Sequence, residues 1–239
     1  MRRYPVDTLG QIVTIYMVFS LIFFGGRAVT PAVIEESLEG IVVGFFIWTV
    51  SVGAYSSVAS DFSKEAQLGT LEMLSMSPLG LGVVMAIKSA VNLLVSFLLG
   101  TLVLILMLVT SGVSFSVNVL TVVPLAVLTV LPMLGVGFMM GGLALVYKRV
   151  SSVFNILRYI FLVLIIISPD AHPVLRYLPL TLGIHLLTRV MSSDVTLVDI
   201  PSSDVLTVTG IALVYLVIGY AGFQQFQKYA RIRGVLGHY

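Results

Sequence analysis

The residues able to do chemistry are few and dispersed. His172, His185 and His238 stand apart, with no HExxH pair and no carboxylate cluster beside them, so their spacing offers no metal site. The chain has no cysteine, which removes disulfides, thiol nucleophiles and thiolate ligands and leaves the redox compartment open. No GxxxxGK[ST] occurs, so ATP hydrolysis is not expected of this polypeptide. A membrane enzyme needs a Ser–His pair, a carboxylate pair or a metal triad within reach of the bilayer. The apolar stretches offer instead Asn92, Asn155, Tyr16, Tyr55 and Tyr159, which suit helix packing or the lining of a pathway. A ring-forming acidic residue or a TVGYG-type filter, as a channel requires, is also missing.

The elements that position these residues follow from composition. Of 239 residues, 58% are apolar and 10% charged, whereas a soluble domain is about a quarter charged. Thirteen Lys and Arg with eleven Asp and Glu cannot clothe such a chain in water, so its solvent is largely lipid. A buried unpaired charge costs about 2.5–3.5 kcal/mol at the bilayer centre on insertion scales. Apolar intervals with few or no charges therefore mark the crossings, at about 8–26, 40–60, 84–109, 119–146, 150–168 and 205–227, with Lys88 near one end of the third and Arg158 within the fifth. The uncharged run from Ser89 to Tyr147 is too long for one crossing and folds back at Thr110–Asn118. Thr8–Gly26 lacks an A-x-A-like cleavage site and is read as a retained first span. The expected fold is an all-α membrane protein of six transmembrane helices in one domain over residues 1–239.

Lys and Arg are retained on the cytoplasmic side. With the N-terminus inside, Arg2, Arg3, Lys64, Lys148, Arg149, Lys228, Arg231 and Arg233 are cytoplasmic, against Arg27, Arg176 and Arg189 outside. Both termini are therefore expected in the cytoplasm. The acidic Glu35, Glu36 and Glu39 fall in an external connection to which no role is assigned.

Two connections are too long to be simple turns. The first, Asp61–Val83, is expected to hold a short cytoplasmic helix over Ser63–Ser77, with Ser63 as N-cap and Glu65 in the first turn, where a negative charge suits the helix dipole. Leu68, Leu71, Met73, Leu74 and Met76 form an apolar stripe at roughly helical spacing, and Pro78 ends the helix. Such a helix either rests on the leaflet or docks in a groove on a cytoplasmic protein. A lipid-seeking helix is rich in Lys and Arg, whereas this one sets Lys64 against Glu65 and Glu72, which favours docking.

The same stretch, E-x-x-x-G-T-L-E-x-L-x-x-S-P, comprising Glu65, Gly69, Thr70, Leu71, Glu72, Leu74, Ser77 and Pro78 and followed by Lys88, resembles the second-to-third-helix loop of type 2 ATP-binding-cassette (ABC) exporter permeases. Leu178-Pro179-Leu180 before Arg189, and the basic end Lys228-Tyr229-Ala230-Arg231 with Arg233, are similar to further parts of that family. The resemblance implies a multi-pass permease subunit of the cell membrane. Its coupling helix, with Glu65, Leu68, Gly69, Thr70, Leu71, Glu72, Leu74 and Pro78, would seat in a separate ATPase subunit holding ATP and Mg. Lys148 and Arg149 would make a secondary cytoplasmic contact. It also implies a second permease protomer, identical or not, with the substrate path between the two. No cofactor is expected on this chain and no nucleic acid among its partners. An uncharged pathway suits amphipathic, drug-like or lipid-linked cargo. The family departure lies at Lys64-Glu65, where a more basic pair is frequent. The alternative is a membrane scaffold, or a membrane-embedded enzyme, without ATPase coupling.

The second long connection, Pro169–Asp204, carries an apolar stretch, Leu178–Val190, too short to cross, and is expected to form a re-entrant or surface-lying helix outside. The resemblance makes it an outer gate; a hairpin resting on the leaflet is the plainer option. Pro124 and Pro132 are expected to kink the fourth helix, whose Gly137 and Gly141 form a GxxxG, read either as packing within the chain or as a subunit interface. Arg158, about eight residues into the fifth span, lies within snorkelling reach of the boundary; an interhelical contact and a substrate role are its other readings.

Overall fold

The computed structural model describes residues 5–29, 31–67, 69–70, 73–74, 76–113, 115, 118–147, 151–167, 169, 172–193 and 199–232. Among these there is no strand; the helices are α1 (Pro5–Val29), α2 (Pro31–Gln67), α3 (Gly80–Ser111), α4 (Val119–Val146), α5 (Ser151–Ile166), α6 (Thr181–Ser193) and α7 (Ser202–Ile232), with a 3-10 turn at Pro173–Tyr177. The chain is thus an all-α membrane protein. Four stretches are long and apolar enough to cross a bilayer: Leu38–Phe62, Gly80–Ser111, Val119–Val146 and Ser202–Ala230. The apolar parts of α1 and α5, Ile12–Ala28 and Ser152–Ile166, are shorter.

Helix α2 corrects the sequence reading at both ends. Its 37 residues span about 55 Å at about 1.5 Å per residue, well beyond the hydrocarbon thickness. The external connection expected around residues 31–39 is its first two turns, opened by Pro31, whose missing N–H costs nothing at a helix start. At the other end Ser63 is no N-cap, because the helix runs through it to Gln67. A charge-free interval reports where hydrocarbon ends, whereas Glu, Lys, Ala and Gln sustain a helix in water. Gly69 stops it instead. With φ +67 it occupies the left-handed region just past the helix end, and the Thr70 N–H reaches back to the Glu65 carbonyl at 3.1 Å, the 6→1 bond of a Schellman motif. No separate helix therefore begins at Ser63; helical backbone resumes after Gly69, at Met73 and Leu74, where the Leu74 N–H bonds the Thr70 carbonyl at 3.0 Å.

Helix α4 is the centre of the bundle, packed on α7 along one side and α2 along another, with α6 against it. It continues through both Pro124 and Pro132. Lipid tails are as apolar as leucine, so association depends on close packing. Gly135 and Gly219 provide it between α4 and α7: a Cβ on Gly135 would lie 2.1 Å from the Tyr215 carbonyl oxygen, and one on Gly219 2.0 Å from that of Gly135. Gly137 and Gly141 face α2 rather than an outside partner. A Cβ on Gly141 would lie 2.3 Å from the Phe62 ring, and one on Gly137 3.2 Å from the Tyr55 carbonyl.

Helix α6 is a buried helix. Leu182, Ile184, Leu186, Leu187, Val190 and Met191 are all within the core, so it does not merely rest on a leaflet. A Cβ on Gly183 would lie 2.3 Å from Thr129 Oγ1 of α4. The entry to α6 is tightly specified: buried Leu180 has φ 77, and the Thr181 hydroxyl lies 2.6 Å from the Leu175 carbonyl and 3.0 Å from that of Leu178.

Candidate functional site

The charged and polar groups nearest the predicted coupling loop converge at the base of the α2–α3 hairpin. On α2, Asp61 and Glu65 are four residues apart and so share a face; on α3, Lys88 and Asn92 do the same. The helices run antiparallel, which brings the two pairs opposite each other in reverse order. Asn92 Nδ2 donates to Asp61 Oδ2 at 2.7 Å. Lys88 Nζ donates to Glu65 Oε1 as an ion pair, and the Thr70 hydroxyl donates to Glu65 Oε2. Both carboxylate oxygens of Glu65 are thereby engaged.

The electrostatic consequence is directional. The Lys88 hydrogen bond foremost, then that of Thr70, hold the Glu65 carboxyl below its usual range against the opposing effect of burial. The Glu65 side chain is 16% exposed and that of Lys88 41%, so the pair sits at the rim of the bundle and is partly screened by solvent. Just inside this brace, Phe62 packs on Phe223 of α7 with ring centroids 4.8 Å apart. The end of α2 is therefore fixed to α3 by charge and to α7 by aromatic packing.

Past the brace, the loop turns its apolar side chains outward. Met73 is 69% exposed, Met76 77% and Leu79 60%, at three-residue spacing. Among the described apolar residues from Met73 to Leu79, Leu74 turns inward and packs against the core. Turns at Met73–Met76, Leu74–Ser77 and Ser77–Gly80, each closed by a backbone hydrogen bond of 3.0–3.3 Å, carry the chain into α3. Methionine is flexible and polarizable, suited to a surface that must fit a partner's contour.

The expected site residues separate accordingly. Glu65 and Thr70 form the brace, Gly69 makes the turn, Leu74 anchors the loop and Pro78 is exposed within it. Leu68, Leu71, Glu72, Lys148 and Arg149 lie outside the described residues. Gly137 and Gly141 are structural contacts of α4 with α2, remote from the loop in sequence. Arg158 is exposed on α5, and its carbonyl accepts from Trp48 Nε1 at 3.3 Å. Of the polar residues in apolar stretches, Tyr55 donates to the Phe154 carbonyl at 3.0 Å and Tyr16 pairs with Thr110 at 2.6 Å, both joining helices. Asn155 and Tyr159 are exposed.

The roles of three participants are not evident from the sequence: Lys88, which there only follows the loop motif, Asn92, which suits packing or a pathway equally well, and Leu79. The signal for the first two is the matched four-residue spacing on either side of the loop, which becomes informative only once α2 is known to continue through Asp61 and Glu65. No family model matches the chain, and no curated protein matches it.

Proposed function

We propose that this chain is the membrane-spanning subunit of an ATP-driven exporter of the type 2 ABC kind, resident in the cell membrane, and that a separate ATPase subunit seats on the loop between α2 and α3. In this reading α1 and α5 join the four longer apolar helices to make six crossings. The Lys and Arg bias supports a cytoplasmic position for both termini and the loop. ATP and Mg reside on the partner, whose closure moves the loop, and a second permease protomer completes a path for amphipathic or lipid-linked cargo. Lys148 and Arg149 add a secondary contact to the ATPase. Arg158, exposed on the short α5, either snorkels or faces that second protomer.

The supporting observation is the pairing of an exposed apolar strip, Met73, Met76 and Leu79, with a base held by Glu65, Lys88, Asp61 and Asn92. A handle needs both properties: a surface that another protein can grip and a root that passes displacement to the helices. A pushed loop with a loose root would absorb the motion. Here force on the loop meets α2 and α3 together, and α2 bears directly on the central α4 through Phe62 and Gly141. The brace also consumes Glu65, so docking rests on the apolar strip more than on that carboxylate.

The test is recovery of the partner. A P-loop ATPase should co-purify with the wild-type chain from native membranes, and the double variant Met73→Glu, Met76→Glu should lose it while inserting into the membrane and melting in detergent as the wild type does. Undiminished recovery with the variant, or no ATPase with the wild type, overturns the reading. A scaffold without ATPase coupling predicts the second of these outcomes.

A further inference from the structure

At the end of the bundle that carries the loop, the first turn of α3 and the last turns of α7 part around a cavity of about 330 Å³. Its α7 wall presents Tyr220, Gln224, Gln227 and Lys228, spaced so that all four share one helix face. Its α3 wall is the backbone of the first turn, including Gly80 and Gly82. Gly82 sets how close the walls come, since a Cβ there would lie 2.7 Å from the Tyr220 hydroxyl.

The chemistry of these walls is that of a donor surface. Among the described residues, Lys228 is exposed with no ion-pair partner and no carboxylate lines the cavity. Gln224 and Gln227 bring carboxamide donors and Tyr220 a hydroxyl. The α3 wall adds the same sign of potential, because the residue preceding that helix, Leu79, gives it no side-chain cap. The occupant such a set favours is an anion with several oxygen acceptors.

Position identifies which kind. The cavity lies where the apolar stretch Gly80–Ser111 begins and the last turns of Ser202–Ala230 run out, so a bilayer crossed by both would have its boundary near it. Leu79 and Val83 on its rim are 60% and 44% exposed and offer apolar surface to an acyl chain. A choline headgroup would bring a cation with no carboxylate among the described lining residues to meet it. We propose that this cavity binds the phosphate of an anionic phospholipid headgroup, with Lys228 as its cation and Gln224 and Gln227 as further donors. The proposal does not rest on the exporter reading, with which it shares Leu79 alone of the residues it names.

The test uses the full chain in detergent, titrated with phosphatidylglycerol or phosphatidylcholine and observed by native mass spectrometry. Wild type should retain phosphatidylglycerol in preference to phosphatidylcholine. Loss of one charge-assisted contact in Lys228→Gln should weaken that retention about tenfold. Lys228→Arg should restore most of it, while Arg189→Gln, removing an exposed cation on α6, should leave it unchanged. Millimolar inorganic phosphate should not displace the lipid; if it does so in a Lys228-dependent way, the site serves a soluble phosphate and the lipid assignment fails. Equal retention of the two lipids, or retention indifferent to Lys228, overturns the proposal.

Discussion

The two long connections solve the same problem in opposite ways. The loop between α2 and α3 is fastened at its root by an ion pair and hydrogen bonds at the rim, is pinned within by Leu74, and turns Met73, Met76 and Leu79 outward. The connection between α5 and α7 is fastened through its helix: α6 buries its apolar residues against α4 and α2, and its entry is fixed by the Thr181 hydroxyl. Rim charges can be rearranged at modest cost because water is at hand, whereas interlocked packing moves only as a unit. The first design suits an element that is handled from outside and the second an element that moves with the bundle or not at all.

The sharpest way to break this contrast is to crowd α6. Gly183→Leu must displace Thr129, whose Oγ1 lies 2.3 Å from where a Cβ at residue 183 would stand, and overpacking of this kind costs about 1–3 kcal/mol. Detergent melting of the variant should show a clear fall in midpoint. An unchanged midpoint would mean that α6 is loosely seated and that the two connections are alike.

A gentler perturbation bears on the other connection. Lys88→Met removes the cation from Glu65, and at a rim position this should cost about 0.2–1 kcal/mol in global stability. Its local effect should be larger than its global one: amide exchange across residues 69–80 should accelerate while that of α6 stays as it was. Combining it with Glu65→Gln should add little, since each variant already breaks the same pair. Additive acceleration would show that Lys88 and Glu65 act on the loop separately.

How far these features can be read from residues alone depends on whether they are local. The all-α class follows from composition, and α4 is legible to its ends, since the polar Ser- and Asn-bearing turn before Val119 and the Lys148–Arg149 pair after Tyr147 bracket one apolar run. The extent of α2 is not, because charge patterning measures the hydrocarbon and a helix is free to outlast it. Ser63 has the chemistry of an N-cap, but a cap acts only where a helix begins, and the Gly69 turn places the break six residues later. The brace is tertiary. Asp61 with Glu65, and Lys88 with Asn92, are visible as two four-residue spacings, yet their meeting depends on the register of α2 against α3. The outward turn of Met73 and Met76, with Leu74 inward, depends on the same register.

The smallest effect expected is on pH, and its sign separates the two connections by mechanism. Glu65 is held below its ordinary value by Lys88 and then Thr70, so the folded state keeps the carboxylate more readily than the unfolded chain does. A depressed carboxyl contributes its stability above the unfolded value, about 4.3 for a glutamate, and loses it as pH falls through the lowered folded value. The brace should therefore be indifferent to pH from neutrality down to about 5 and release the loop only in more acidic solution. Amide exchange of residues 69–80, corrected for intrinsic rates, should rise in that acidic window in wild type and show no such step in Glu65→Gln. The α6 seat contacts made by Thr129, Thr181 and Gly183 contain no titrating group and should not follow the Glu65 step. A loop that loosened instead between about pH 8 and 6, the range where an imidazole titrates, would place its fastening on some group other than this carboxylate. The contrast between a charged root and a packed helix would then have to be redrawn around that group.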